Sequence, residues 1–83
     1  MKINVKYFAS IRERIGTGSE SIDTKAATLG ALRDELIARG GAHAESLARG
    51  RAVRVALDQV IRDEATPLTE GAEVAFFPPV TGG

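Results

Sequence analysis

Two glycines, Gly82 and Gly83, stand at the end of an 83-residue chain, directly behind "FFPPVT". Without β-carbons, such a pair can thread a channel too narrow for side chains, and partner groups can approach its backbone closely. The terminal carboxylate of Gly83 is then expected to be the unhindered reactive group of the molecule. A carboxylate is a poor electrophile, because its charge is delocalised and repels nucleophiles. Joined to AMP it gains a leaving group, and sulfur can then replace oxygen to give a thiocarboxylate, a softer nucleophile able to deliver sulfur elsewhere. The alternative is an ordinary frayed end, since terminal residues are often free of structural duty.

The residues before the glycines favour a projecting arm. Pro78 and Pro79 lack backbone donors, so a strand ladder cannot extend through them. Each proline also biases its predecessor toward an extended conformation, which holds Phe77 and Pro78 straight. The six residues from Pro78 to Gly83 could span about 20 Å at roughly 3.3 Å each. That length reaches into another protein's active site. The expected division is a folded domain over residues 1–77 and a flexible tail over 78–83.

Little else in the chain could do chemistry. There is no cysteine, so disulfides, thiolate catalysis and thiolate metal sites are excluded, and no internal thiol competes for an activated acyl group. His43 is the one histidine and is expected to be solvated among small residues. Ser10, Ser19, Ser21 and Ser46 therefore lack alternative bases with which to build a triad. Asp63 and Glu64, adjacent on a turn, read as a solvated pair rather than a metal site. "GTGSES" fails the dinucleotide fingerprint, and no P-loop occurs. A self-contained enzyme with its own bound cofactor is not expected.

Composition narrows the partners. Eleven basic residues balance eleven acidic ones, so no net field draws the chain to nucleic acid or to an anionic membrane. Arg49, Arg51 and Arg54 form the densest basic cluster, either a solvated strand edge or a docking patch for an acidic partner. The start "MKINVKYFAS" lacks the apolar region of a signal peptide, and no apolar stretch is long enough to span a bilayer. A cytoplasmic location is the default expectation.

The elements that must carry the tail follow from hydrophobic period. "KINVKYF" alternates as a half-buried strand, with Ile3, Val5 and Tyr7 on one face and Asn4, Lys6 and Phe8 on the other. Ser10 stands three residues before Glu13, a capping-box spacing that predicts a short helix over about 10–15. A second strand is expected around "SESID", resting mainly on Ile22. The main helix is predicted from about Thr28 to Arg39, capped by Thr28 and released by Gly40-Gly41. Leu29, Leu32, Leu36 and Ile37 form its apolar stripe, with Arg33, Glu35 and Arg39 toward water and Glu35–Arg39 as an i, i+4 pair. A ragged turn is expected around "HAESLA". "RAVRVALD" predicts a strand with Val53, Val55 and Leu57 inward, "VIR" a short one, and "EVAFF" the last. Pro67 and Gly71 supply turn chemistry before that final strand. The pattern is α+β, a ubiquitin-like β-grasp domain in which one main helix packs on one face of a mixed sheet.

Phe8 and Phe77 fall on faces otherwise polar, beside the tail, and Ile61 on a short edge segment could join them. Exposed apolar residues so placed suggest a partner interface. The alternative is that twist or a bulge buries one or both phenylalanines in a minor core.

Taken together, "VKYFASIRERIGT", "TLGALRDEL", "VALDQ" and above all "TPLTEGAEVAFFPPVTGG" resemble the small subunit of molybdopterin synthase, a β-grasp sulfur-carrier family, over nearly the whole chain. The resemblance implies that Gly83 is adenylated by an enzyme related to ubiquitin-activating enzymes, which uses ATP, and is then thiocarboxylated from a sulfur-donor protein. It implies that two such subunits insert their tails into a dimer of the large catalytic subunit, as a heterotetramer. There the sulfur passes to cyclic pyranopterin monophosphate in molybdenum cofactor biosynthesis, with the catalytic groups on the large subunit. By the same resemblance Gly82 is the slender penultimate position, Val80 and Thr81 lie in the partner's channel, and Pro78 and Pro79 stand at its mouth. Phe8, Ile61 and Phe77 match positions that contact the large subunit. Asp58 replaces the usual asparagine of the family, and Glu70 and Ala72 stand where "DGDE" is usual, which bears on turn geometry. Rival readings are a thiamin-pathway sulfur carrier, a ubiquitin-like modifier that forms isopeptide bonds with lysines, and an interaction domain with an inert tail.

Overall fold

The alternating start of the chain forms strand β1, Lys2–Tyr7, and buries every second residue: Ile3, Val5 and Tyr7. The computed structural model describes residues 1–79. Helix α1, Ala9–Ile15, follows at once, and β2, Ser19–Asp23, returns antiparallel to β1 with Ile3 opposite Ile22. Helices α2, Leu29–Ile37, and α3, Gly41–Leu47, come next. Strands β3, Arg54–Leu57, β4, Val60–Ile61, and β5, Glu73–Phe77, complete one five-stranded sheet in the order β2-β1-β5-β3-β4. Its central pair, β1 with β5, is parallel, and the other pairs are antiparallel. This is the ubiquitin-like β-grasp arrangement.

The core lies between the helices and one face of the sheet. Leu29, Leu32 and Leu36 of α2 are fully buried with Leu47 of α3, against Val5, Val55, Val74 and Phe76 of the strands. Each such side chain withdrawn from water stabilises the fold by roughly 1.5–3 kcal/mol. Ile37, Val53 and Leu57 pack at the margin of this cluster. Thr28 caps α2 as its type predicts, its hydroxyl accepting from the Ala31 amide at 3.1 Å.

Four local expectations are corrected. Ser10 does not cap α1: Phe8 is the N-cap, its carbonyl accepting from the Ile11 and Arg12 amides at 3.2 and 3.3 Å. The strand ladder already holds Phe8, whose amide donates to Phe76 O at 3.1 Å, so the helix starts two residues earlier than a serine cap at position 10 would place it. "GAHAESL" is a helix rather than a ragged turn, because Gly40 at φ 76° and Gly41 at φ 55° reverse the chain tightly into it.

Arg33 does not face water. It is 5% exposed, and its guanidinium donates to Leu47 O, Ala48 O and Glu64 Oε2, each at 2.8 Å. Nor does Glu35 pair with Arg39. Arg39 Nη1 reaches Glu20 at 2.7 Å, while Glu35 accepts the Thr24 hydroxyl.

Candidate partner interface at the root of the tail

The outer face of the sheet is built from the residues that strand parity turns away from the helices. One cross-strand row runs Lys6, Ala75, Ala56, Ile61 through successive registers. The two alanines are small enough to leave a hollow, and they form its floor at 7% and 6% exposure. Phe77, opposite Arg54 at the end of β5, forms one wall. Phe8 forms another, because its extended backbone (φ −125°, ψ 157°) continues the alternation of β1 by one residue. Ile61 closes the far side.

The result is an open groove of about 500 Å³ bordered by Phe8, Ile61, Phe77, Pro78 and Pro79. Phe8 is 46% exposed and Ile61 is 63% exposed, while Phe77 is half-buried. The outer face thus presents a contiguous apolar surface, and neither phenylalanine enters a minor core. Lys6 Nζ and Glu73 Oε1, 3.2 Å apart, put an ion pair on the same face. An apolar centre with a polar rim is the anatomy of a protein–protein contact.

Strand β5 ends at Phe77, where the prolines stop the ladder, and Pro78 and Pro79 stand at the groove. Val80, Thr81, Gly82 and Gly83, for which the family resemblance implies the channel and the acyl chemistry, lie outside the described residues.

The departures in the turns have local explanations. Asp58 and Gln59 form the two-residue link between β3 and β4, with φ of 48° and 71°, a geometry that favours Asn-Gly. Asp58 serves because its Oδ1 accepts the Glu73 amide at 2.9 Å while its own amide donates to Glu73 O at 2.8 Å. Glu70 accepts the Lys2 amide at 2.7 Å, and Ala72 is buried.

Other polar residues are structural. His43 is not freely solvated: its Nε2 lies 3.1 Å from Glu20 Oε2, and its ring stands edge-on to Tyr7 at 5.9 Å. Burial pushes the Tyr7 phenol well above its ordinary pKa, and the hydrogen bond to Glu20 adds to this. For Glu20, burial works upward, but hydrogen bonds from Arg39, Tyr7 and His43 outweigh it and carry the carboxyl down to about 2. Glu64 is likewise raised by burial and lowered more by Arg49 and Arg33, with a net fall. Of the adjacent carboxylates, Asp63 is exposed and accepts the Ala65 amide, whereas Glu64 is half-buried and pairs with both arginines. Among the described residues no cluster of His, Asp or Glu is placed to hold a metal, and no helix is long and apolar enough to cross a membrane.

Comparison with known proteins places this geometry. The profile of the ThiS family matches residues 5–83. The molybdopterin synthase sulfur carrier subunit of Escherichia coli is 41% identical over 81 residues, covering 98% of this chain and 99% of that protein. Among solved structures, SAMP1 from Haloferax volcanii superposes with a TM-score of 0.77 at 27% identity, each chain being fully covered. One chain in the complex of subunits 1 and 2 of the molybdopterin-converting factor from Helicobacter pylori superposes at 0.67 with 29% identity, again with both chains fully covered. The chain belongs to the ThiS family, within the β-grasp group that includes the molybdopterin synthase sulfur carrier subunits.

Proposed function

We propose that this chain carries sulfur on Gly83 and delivers it as the small subunit of a molybdopterin synthase. The observation that carries the reading is the apolar groove of Phe8, Ile61 and Phe77 lying at the base of the Pro78-Pro79 tail. A partner seated there is held where the tail begins, so docking and delivery are coupled. The chemistry resides in the terminal carboxylate. Attack by that carboxylate on ATP releases pyrophosphate and gives the acyl-adenylate. Sulfur at the sulfide level, supplied by a donor protein, then displaces AMP and leaves a thiocarboxylate. In the synthase the thiocarboxylate sulfur is transferred to cyclic pyranopterin monophosphate, and water returns Gly83 to the carboxylate.

The partners proposed are an adenylating enzyme of the ubiquitin-activating type and a large subunit that accepts the tail in a heterotetramer. Support for the second is the Helicobacter pylori complex of two subunits. Within the synthase Val80 and Thr81 occupy the large subunit's channel, and Gly82 is the slender residue beside the reacting one. The compartment is cytoplasmic.

The test is an intact-mass measurement after incubation with ATP, a sulfur source and the cognate adenylating enzyme. Replacement of one terminal oxygen by sulfur, followed by molybdopterin formation when the large subunit and pterin precursor are added, is the expected result. Covalent adducts on the lysines of other proteins would instead mark a modifier, a reading for which the likeness to SAMP1 gives a specific reason. A competent thiocarboxylate that yields no molybdopterin would point to a carrier for another pathway, such as thiamin synthesis.

A further inference from the structure

Pro78 borders a second cavity besides the apolar groove. It has a volume of about 320 Å³ and is lined by Ser10 and Arg14 of α1, Ser46 of α3, and Arg51 ahead of β3. That is far more than the roughly 30 Å³ share of one water molecule. Its charge is one-sided: two guanidinium groups and two hydroxyl-bearing side chains line it beside the apolar Ile11, Ala52 and Val53, and no carboxylate does. Arg33, Arg39 and Arg49 each pair with a glutamate, whereas Arg14 and Arg51, like Arg12, Arg54 and Arg62, make no ion pair among the described residues.

Ser46 adds an independent sign. It is 2% exposed, and its Oγ has no hydrogen-bond partner among the described residues. Buried hydroxyls are nearly always satisfied, so an orphan beside a cavity needs a partner from within that cavity, a water or a ligand atom. Unpaired guanidinium donors, with a hydroxyl to donate beside them, select an oxyanion.

We propose that this cavity receives a carboxylate, the side chain of an aspartate or glutamate on the protein that accepts the tail. The proposal rests on the carrier reading above and adds the chemistry of its partner. A protein seated against Phe8, Phe77 and Ile61 also meets Pro78, which brings its surface to the second cavity. The apolar groove supplies the buried area of the contact. The arginine pocket fixes its orientation, and the tail starts between the two. Charge complementarity then rejects partners that offer only an apolar patch.

Isothermal titration of the full chain with the large subunit of its own host, over a range of salt, tests this. Arg14→Gln and Arg51→Gln are each expected to weaken binding at least tenfold at low salt and to flatten its salt dependence. Ile61→Ala should weaken binding while leaving the salt dependence as it was. Ser46→Ala should keep or raise the thermal stability of the isolated chain, because it removes an unpaired hydroxyl, and yet weaken the complex. A residue with a merely structural role would not give that split. In a second measurement, acetate titrated into the isolated chain should shift the Ser46 and arginine side-chain NMR signals, and Arg51→Gln should abolish the effect.

Wild-type binding by both arginine variants, alongside a weakened Ile61→Ala, would overturn the carboxylate pocket and leave the carrier reading intact. Saturation by inorganic phosphate at concentrations where acetate has no effect would also overturn it, in favour of a free-phosphate site. Failure to form the thiocarboxylate, with binding still dependent on both arginines, would sink the carrier reading and keep the pocket.

Discussion

The Tyr7 phenol donates a 2.7 Å hydrogen bond to Glu20 Oε2, joining the end of β1 to β2. The same carboxylate takes Arg39 at 2.7 Å through Oε1 and lies 3.1 Å from His43 Nε2, so it also ties in the chain after α2 and helix α3. With its folded pKa near 2 against an ordinary 4.5, Glu20 binds its proton more readily in the unfolded chain. Its contribution is therefore fully present above the unfolded value and is lost as pH falls toward the folded one. Glu20→Gln should be less stable than wild type at pH 6 by about 2–3 kcal/mol, and the gap should close as pH is lowered toward 2. Urea unfolding midpoints of the two proteins across that range are the measurement. A gap that stays constant would show that packing, rather than ionisation, sets the difference.

Arg33 is the other buried polar anchor, and its removal should be the more damaging change. Its guanidinium satisfies the carbonyls of Leu47 and Ala48, where α3 ends. Arg33→Met retains much of the volume but strips those carbonyls and leaves Glu64 to Arg49 alone. The expected loss is about 2–4 kcal/mol, somewhat below a fully buried pair because Glu64 is one-third exposed. Arg33→Lys should recover only part of it, since one ammonium cannot reach three acceptors. Chemical denaturation of the three proteins decides the ordering.

These two networks also mark where sequence reading ran short. The strands, the α2 stripe, the Thr28 cap and the exposed Phe8 and Ile61 follow from local period and local capping, and all were legible. Arg33 was not. It lies between Leu32 and Leu36 on a predominantly apolar helix, and its side chain is drawn inward by carbonyls that only the α3 reversal places there. Glu20 shares a strand face with Ile22, which hinted that it points inward, but its partners come from positions 13, 19 and 23 residues away. Ser10 carried a correct capping pattern that lost to the β1–β5 ladder. Period and spacing report the local chain, while these partners are set by tertiary approach.

The β3–β4 turn offers a stabilising change. Gln59 holds φ at 71° without a glycine, at a cost on the order of 1 kcal/mol for an L-residue. Gln59→Gly should recover about 0.5–1 kcal/mol, because a type I′ link favours glycine at this place. Asp58→Asn should change stability little, since an amide oxygen can accept the Glu73 amide as the carboxylate does. Thermal melts of both variants test the pair. A destabilised Gln59→Gly would mean that the glutamine side chain, at the edge of the apolar groove, contributes packing that its backbone strain conceals.

Docking and sulfur chemistry should separate cleanly by mutation. Ile61 is 63% exposed, so Ile61→Asp is expected to cost the isolated domain less than about 0.5 kcal/mol. In the complex the same change puts a charge into the apolar groove, and affinity for the large subunit should fall at least a hundredfold, about 2.7 kcal/mol. Deletion of Gly83 should do the reverse. The buried core runs from Ile3 to Phe76, so the melting temperature should be unchanged and the groove still able to dock. Thiocarboxylate formation should nevertheless vanish, because the proposed chemistry requires the carboxylate of Gly83 itself. Melting curves, binding isotherms and intact masses of the two variants together give the result. A Gly83 deletion that still acquires sulfur would place the acceptor elsewhere on the chain.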